Sequence, residues 1–304
     1  MHALRVLTMT MVVLTAAAAV THAQAPAPAP RSPAERAAAQ KAEHDKLMAM
    51  PRPFDALDSV WLSELTWLEV RDAQRAGKTT IIIVTGGVEQ NGPYLATGKH
   101  QYINHVTCEA VARKLGNALC APIVPFVPQG DIDPPSGMML YPGTIGVTES
   151  TYQALLTDLA NSFRVTGFEN IILLGDSGGN QRGMKEVTAT LSAKWTGTKS
   201  RVHYIPEYYN WGPATEFAEK ALGWKQGNDG HHDDAVSSAL MMTADPNSVR
   251  IKQRMATGKA SINGVSLTPI DKVVEGGKQI TNWRADQTVA AIKKAIAAPA
   301  TSRQ

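Results

Sequence analysis

TTIIIVTGGVEQNGPYLATGKH, the stretch from Thr79 to His100, decides how the rest of the chain is read. Its first half, Thr79 to Thr85, is β-branched throughout, with Ile81-Ile82-Ile83-Val84 at the centre. A short apolar run without polar alternation is a strand covered on both faces, the signature of a parallel sheet. Gly86 and Gly87 end the strand, and a polar loop carries Glu89, Gln90, Asn91, Tyr94, Lys99 and His100. A helical pattern follows. In open α/β sheets chemistry sits beyond the carboxyl ends of the strands, so this loop is the first place to look for a site. The plain alternative is that Glu89 and His100 are merely solvated loop residues.

Outward from this stretch the elements alternate. Helices are expected at about Tyr102 to Leu115, Glu149 to Thr166 and Met184 to Trp195. Strands are expected at about Ala121 to Val127, Glu169 to Leu174 and Arg201 to Ile205. The long segment Pro128 to Gly146 reads as a loop, and so does the aromatic cluster Tyr208, Tyr209 and Trp211. Helices are also expected over Ala235 to Thr243 and Trp283 to Ala297. This β-α-β rhythm predicts an α/β fold, a mostly parallel sheet with helices on both faces in three layers.

The chain has 304 residues, and its ends do not read as part of that fold. Residues 1–25 have a basic Arg5, an apolar Ala-rich run from Val6 to Val20 and an Ala23-Gln24-Ala25 cleavage pattern, the marks of a signal peptide. An N-terminal membrane anchor is the alternative, but the run is short for a bilayer span. Residues 26–52 read as a Pro/Ala-rich tether and an exposed helix, and 53–304 as one domain. Export predicts a periplasmic or secreted protein. The net charge is +3, or about +2 without Arg5, too little for a nucleic-acid binder. No membrane association is expected after signal removal. Two cysteines, Cys108 and Cys120, either form one disulfide or stay unpaired, and their spacing is not that of a thiolate metal site.

Three polar loops carry chemistry. One holds Glu89, Asn91 and His100, the second is Gly175 to Asn180 (GDSGGN), and the third is His231-His232-Asp233-Asp234. The first two follow buried strands and open on one sheet edge. Nitrogen and oxygen donors without thiolate suit zinc or manganese. A catalytic zinc takes about three protein ligands and leaves a position for water, which Glu89, His100 and Asp234 would provide. Asp233 and Asp234 read equally as caps of the helix that follows. GDSGG also matches the string around the nucleophile of trypsin-like serine proteases, but those are all-β proteins; here the glycines more simply allow a tight strand-to-helix turn.

In this order the motifs resemble the creatininase (creatinine amidohydrolase) family. The family's LTW-x-E helix is matched by Leu65-Thr66-Trp67-Leu68-Glu69, and its G-x-x-E-Q-H-G-P-H-L loop by Gly87 to Leu95. Its F-P-G-T turn is matched by Tyr141 to Thr144, its N-G-H-G-G-N turn by Gly175 to Asn180, and its H-A-G-E-x-E-T-S segment by His231 to Ser238. The resemblance implies one or two divalent metals and hydrolysis of small cyclic amides. It also exposes departures: Asn91 and Ser177 stand where the family has ligand histidines, and His100 where it has a ligand aspartate.

These readings lead to an expectation of a metal-dependent amidohydrolase acting on a small amide or cyclic-amide C–N bond. Glu89, His100 and Asp234 would hold the metal, most simply zinc, with manganese or iron as other choices. His231 and Asp176 would be the acid–base residues, and Asn91, Tyr94, Ser177 and Asn180 would contact a small-molecule substrate. A homo-oligomer is expected from the family. The competing expectation is a non-catalytic relative that binds a small molecule with a degenerate metal site.

Overall fold

The computed structural model describes residues 32–228 and 230–299. The proposed signal segment and residues 26–31 of the tether lie outside the described residues. The chain divides between Pro51 and Arg52 into two units. In the first, α1 (Pro33–Ala49) starts with a capping box between Ser32 and Glu35 and buries none of its residues. The sequence shows why: it is rich in helix formers but has no apolar stripe.

The second unit is built on the Thr79 stretch. After a short 3₁₀ turn, α2 (Trp67–Arg75) leads into β1 (Thr80–Thr85). Then come α3 (Lys99–Leu115), β2 (Ala118–Cys120), α4 (Glu149–Val165), β3 (Asn170–Gly175), α5 (Gln181–Lys194) and β4 (Arg201–Tyr204). The remainder is α6 (Trp211–Leu222), α7 (Ala235–Ala244), α8 (Ile251–Ala256), a small hairpin β5 (Ser261–Ile262) and β6 (Val265–Ser266), and α9 (Ile270–Ala297). The main sheet has order β2-β1-β3-β4, and every pairing in it is parallel.

β1 explains the layering. Ile81 and Ile83 pack on one face with Tyr152 and Leu156 of α4 and Met184 and Val187 of α5. Ile82 and Val84 pack on the other with Cys108 and Val111 of α3 and Ala285 and Val289 of α9. All four β1 side chains are fully buried. At roughly 1.5–3 kcal/mol for each buried aliphatic side chain, this strand anchors both layers. The fold is therefore the expected three-layer α/β arrangement. A further helical cluster joins α3, α6, α7, α8 and α9.

Some boundaries differ from the sequence reading. The strand expected at Ala121 to Val127 is Ala118–Cys120 instead. Pro122 and Pro125 remove ladder donors from the later stretch, which keeps only isolated bridges at Val124 and Val127. The segment read as an aromatic loop contains α6, starting at Trp211. α9 begins at Ile270, thirteen residues before the expected Trp283. Gly276-Gly277 lies inside it without breaking it. A Cβ at Gly276 would sit 2.6 Å from the Trp224 ring, so the glycines permit close packing. Cys108 and Cys120 form a disulfide between α3 and β2.

Candidate active site

The site lies where the sheet order reverses. From β1 the chain passes to β2 on one side and later returns to β3 on the other. Loops leaving β1 and β3 therefore diverge and open a crevice at their carboxyl ends. In register, Thr85 pairs with Gly175, so Gly86 and Asp176 leave the sheet together. Thr85 fastens this edge: its hydroxyl accepts from Tyr152 and Asn180, and its carbonyl accepts from the Asp176 amide at 3.0 Å.

His100 is not on the loop but in the first turn of α3. Gly86 lets that turn come close, since a Cβ there would lie 2.5 Å from the His100 Cβ. The buried imidazole bridges two carboxylates. Its Nε2 is 2.9 Å from Glu89 Oε1, and its Nδ1 is 2.9 Å from Asp176 Oδ2. Asp176 Oδ1 accepts from Arg284 Nη2 at 2.8 Å, and Arg284 Nε donates to Asn210 Oδ1 at 3.0 Å. Arg284 is 0% exposed and lies over the Trp211 ring, 4.5 Å from its centroid. Trp211 Nε1 in turn donates to the Asp176 carbonyl. A line of alternating charge, Glu89–His100–Asp176–Arg284, thus runs from the β1 loop to α9.

The electrostatics follow from these contacts. Burial alone would raise the Glu89 pKa, but the His100 hydrogen bond and the charges of His100, Lys99 and His232 outweigh it and bring it to about 2. Burial works against a charged His100, yet its hydrogen bonds to Asp176 and Glu89 prevail and raise its pKa. Asp176 is lowered: burial opposes ionisation, and Arg284 and His100 overcome it.

A cleft of about 950 Å³ opens over this line. Glu89, Lys99, His100, Asp176, Ser177 and His232 are among its lining residues. Lys99 Nζ stands 3.6 Å from Glu89 Oε1 and is nearly buried. His232 is 41% exposed, with Nδ1 3.1 Å from the Gln90 carbonyl and 3.7 Å from Glu89 Oε1. A carbonyl only accepts, so Nδ1 carries the hydrogen and a neutral His232 has its acceptor at Nε2.

The expected residues distribute unevenly. Glu89, His100, Asp176, Ser177, His231 and Asp234 all border the cleft. The metal trio does not converge, however. Asp234 is the N-cap of α7, accepting from the Ser237 amide at 2.8 Å, as its position before a helix also allowed. Both His100 nitrogens are engaged by carboxylates. Among the described residues no group of three or more His, Cys, Asp or Glu side chains is placed to hold a metal ion. A dication beside Glu89 would also face the Lys99 ammonium. Charges of +2 and +1 about 4 Å apart repel by roughly 8 kcal/mol at an effective dielectric of 20. The described donor set therefore does not fit a divalent metal.

Other assignments change too. Asp176 is locked between His100 and Arg284, which makes it a positioning residue. Asn91 is a loop staple, its amide donating to the carbonyls of Glu89, Ala96 and Thr97. The Tyr94 hydroxyl meets Thr257, with Arg254 over its ring. Asn180 is buried and donates to Thr85. None of these three borders the cleft. Among the described residues no base is hydrogen-bonded to the Ser177 hydroxyl, so the serine-nucleophile arrangement is not formed. The sequence reading missed Arg284, whose signal was a charge on an otherwise uncharged stripe with Ile280, Ala285 and Thr288.

The family model for creatininase, described as creatinine amidohydrolase, matches residues 63–292. The chain belongs to the creatininase family. A creatinine amidohydrolase of Pseudomonas putida is 22% identical over 220 residues, covering 70% of this chain and 82% of that protein. A solved Zn-Zn type creatininase mutant has a TM-score of 0.57 at 18% identity, covering 80% of this chain and 100% of its own. A manganese creatininase has a TM-score of 0.56 at 19% identity, covering 79% and 100%. At such identities the structural likeness shows the creatininase fold.

Proposed function

We propose that the protein hydrolyses the C–N bond of a small amide or cyclic amide in the cleft above β1 and β3. The observation that carries this is the gathering of Glu89, Lys99, His100 and His232 at the switch point of a chain matched by the creatininase family model. The residues support the following roles. His232 Nε2 takes a proton from an attacking water and returns it to the leaving nitrogen. Lys99 polarises the carbonyl oxygen as negative charge develops there. Glu89, held ionised, orients both Lys99 and His232. His100, Asp176 and Arg284 fix Glu89 in place. Ser177 and His231 border the substrate volume.

The test is turnover of a panel of lactams, cyclic ureides and small linear amides, read as paired amine and carboxylate release. Activity lost in His232→Ala and Lys99→Met supports the proposal. Absence of turnover across the panel, or turnover indifferent to both substitutions, refutes it.

A second reading has its own observation. The Glu89–His100–Asp176–Arg284 line is joined end to end by hydrogen bonds within the protein, as suits a rigid binding pocket without chemistry. Saturable binding of a panel member without product would favour it.

Export to the periplasm or the exterior is part of the proposal. Arg5, the Ala-rich run and the cleavage pattern support it, as does the Cys108–Cys120 disulfide, a bond that persists in oxidising compartments. No helix of the described residues is long and apolar enough to cross a membrane. Homo-oligomeric assembly is likewise proposed, and light scattering on the purified protein tests it.

A further inference from the structure

We infer that this site operates without a bound divalent metal, because the His100 ring fills the gap between Glu89 and Asp176 and the Lys99 ammonium stands against Glu89, where such an ion would have to sit. The inference rests on reading this cleft as the functional site, not on amide turnover.

Three observations combine. First, the donors beside Glu89 at the centre of the site, His100 and Asp176, are already committed. His100 spends Nε2 on Glu89 and Nδ1 on Asp176, at 2.9 Å each. The two Asp176 oxygens serve His100 and Arg284, and Asp234 serves the start of α7. Second, the carboxylate charge is already balanced by the protein. Lys99 Nζ stands 3.6 Å from Glu89, and the Arg284 guanidinium stands 2.8 Å from Asp176. Two buried carboxylates facing two fixed cations leave no net negative charge to attract a dication. Third, the positions that would supply more ligands carry poor ones. The Asn91 Nδ2 is spent on three backbone carbonyls, which leaves only a neutral amide oxygen, and Ser177 brings only a neutral hydroxyl.

The arrangement also has a consequence for catalysis. A fixed ammonium stabilises a developing oxyanion but, unlike a metal, does not acidify a bound water. The proton must then go to a side chain, and His232 Nε2 is an available acceptor bordering the cleft beside Glu89.

The experiment uses the full mature chain. Elemental analysis is done on protein as purified, and again after incubation with excess Zn²⁺ or Mn²⁺ and gel filtration. Calorimetric titration with Zn²⁺ follows, beside thermal unfolding with and without chelator. The expected results are far less than one ion per chain, no saturable zinc site and an unchanged melting temperature with chelator. In the double variant Lys99→Thr/His100→Asp, removal of the ammonium and restoration of a carboxylate should raise zinc affinity at least tenfold over wild type. A stoichiometric ion in the wild type that Glu89→Gln removes would overturn the inference. So would a folded double variant that binds zinc no better than wild type. If the double variant does not fold, the wild-type metal content and chelator response decide alone. Failure of the amidase proposal would show as absent turnover and leave these readouts unchanged.

Discussion

Replacing Arg284 by methionine tests the line of charge most directly. Methionine keeps most of the buried volume but removes the donors to Asp176 Oδ1, Asn210 Oδ1 and the Tyr208 carbonyl. Both Arg284 and Asp176 are 0% exposed, so water cannot replace the lost partner. Breaking a buried ion pair from one side costs about 3–5 kcal/mol, because the remaining charge is left uncompensated. Part of that falls on His100, the other partner of Asp176. Asp176→Asn alone should cost a similar amount. The double variant Arg284→Met/Asp176→Asn removes both charges and should recover about 1–3 kcal/mol of the summed losses. The assay is equilibrium urea unfolding with the disulfide intact, with the four proteins forming a double-mutant cycle. If Arg284→Met costs less than about 1 kcal/mol, or if the two losses simply add, the buried line is not coupled and its role in fixing His100 is refuted.

The pH dependence of stability follows from the same groups. The drop of Glu89 from 4.5 to about 2 corresponds to roughly 3 kcal/mol, present above pH 4.5 and lost as pH falls through 2. Asp176 acts in the same direction, whereas the raised His100 contributes below its unfolded value of 6.5 and loses that contribution as pH rises through its folded value. Unfolding midpoints should therefore peak between these limits, and Glu89→Gln should flatten the acid limb; an unaltered acid limb would count against the assignment. Asp234→Ala should cost about 1 kcal/mol through loss of the α7 cap, with Asp234→Asn close to wild type, measured by the same urea titrations. Gly86→Ala should destabilise by about 1–3 kcal/mol and displace His100, visible as lost protection of the α3 amides in hydrogen exchange. Replacing Cys108 and Cys120 together by alanine should cost about 3 kcal/mol from the freed loop, read in the melting temperature.

The apolar run Ile81 to Val84, with no polar alternation, by itself determined a strand buried on both faces, and hence a three-layer parallel sheet. The order of the Glu89 loop, the GDSGGN turn and the His231 segment determined the family. Both are local properties: β-branched residues, glycine breaks and motif spacing act within a few residues of themselves. Glu89 was legible for the same reason, as a carboxylate just beyond a buried strand.

Tertiary structure alone decided which partners those side chains meet. Arg284 and Asp176 are 108 residues apart in sequence, and only the packing of α9 on the Ile82 and Val84 face of the sheet brings them together. His100 could be read as a ligand or a solvated residue until Gly86 drew the first turn of α3 against β1. Asp234 was open to two uses, and the phase of α7 turned it to the helix amides. His232 faces Glu89 because of how its loop returns over the sheet, which adjacent histidines in sequence do not reveal. A side chain's chemistry is set by the charge and donors within a few ångströms of it, and in this protein those come from β1, α3, β3 and α9, elements that only the fold places side by side.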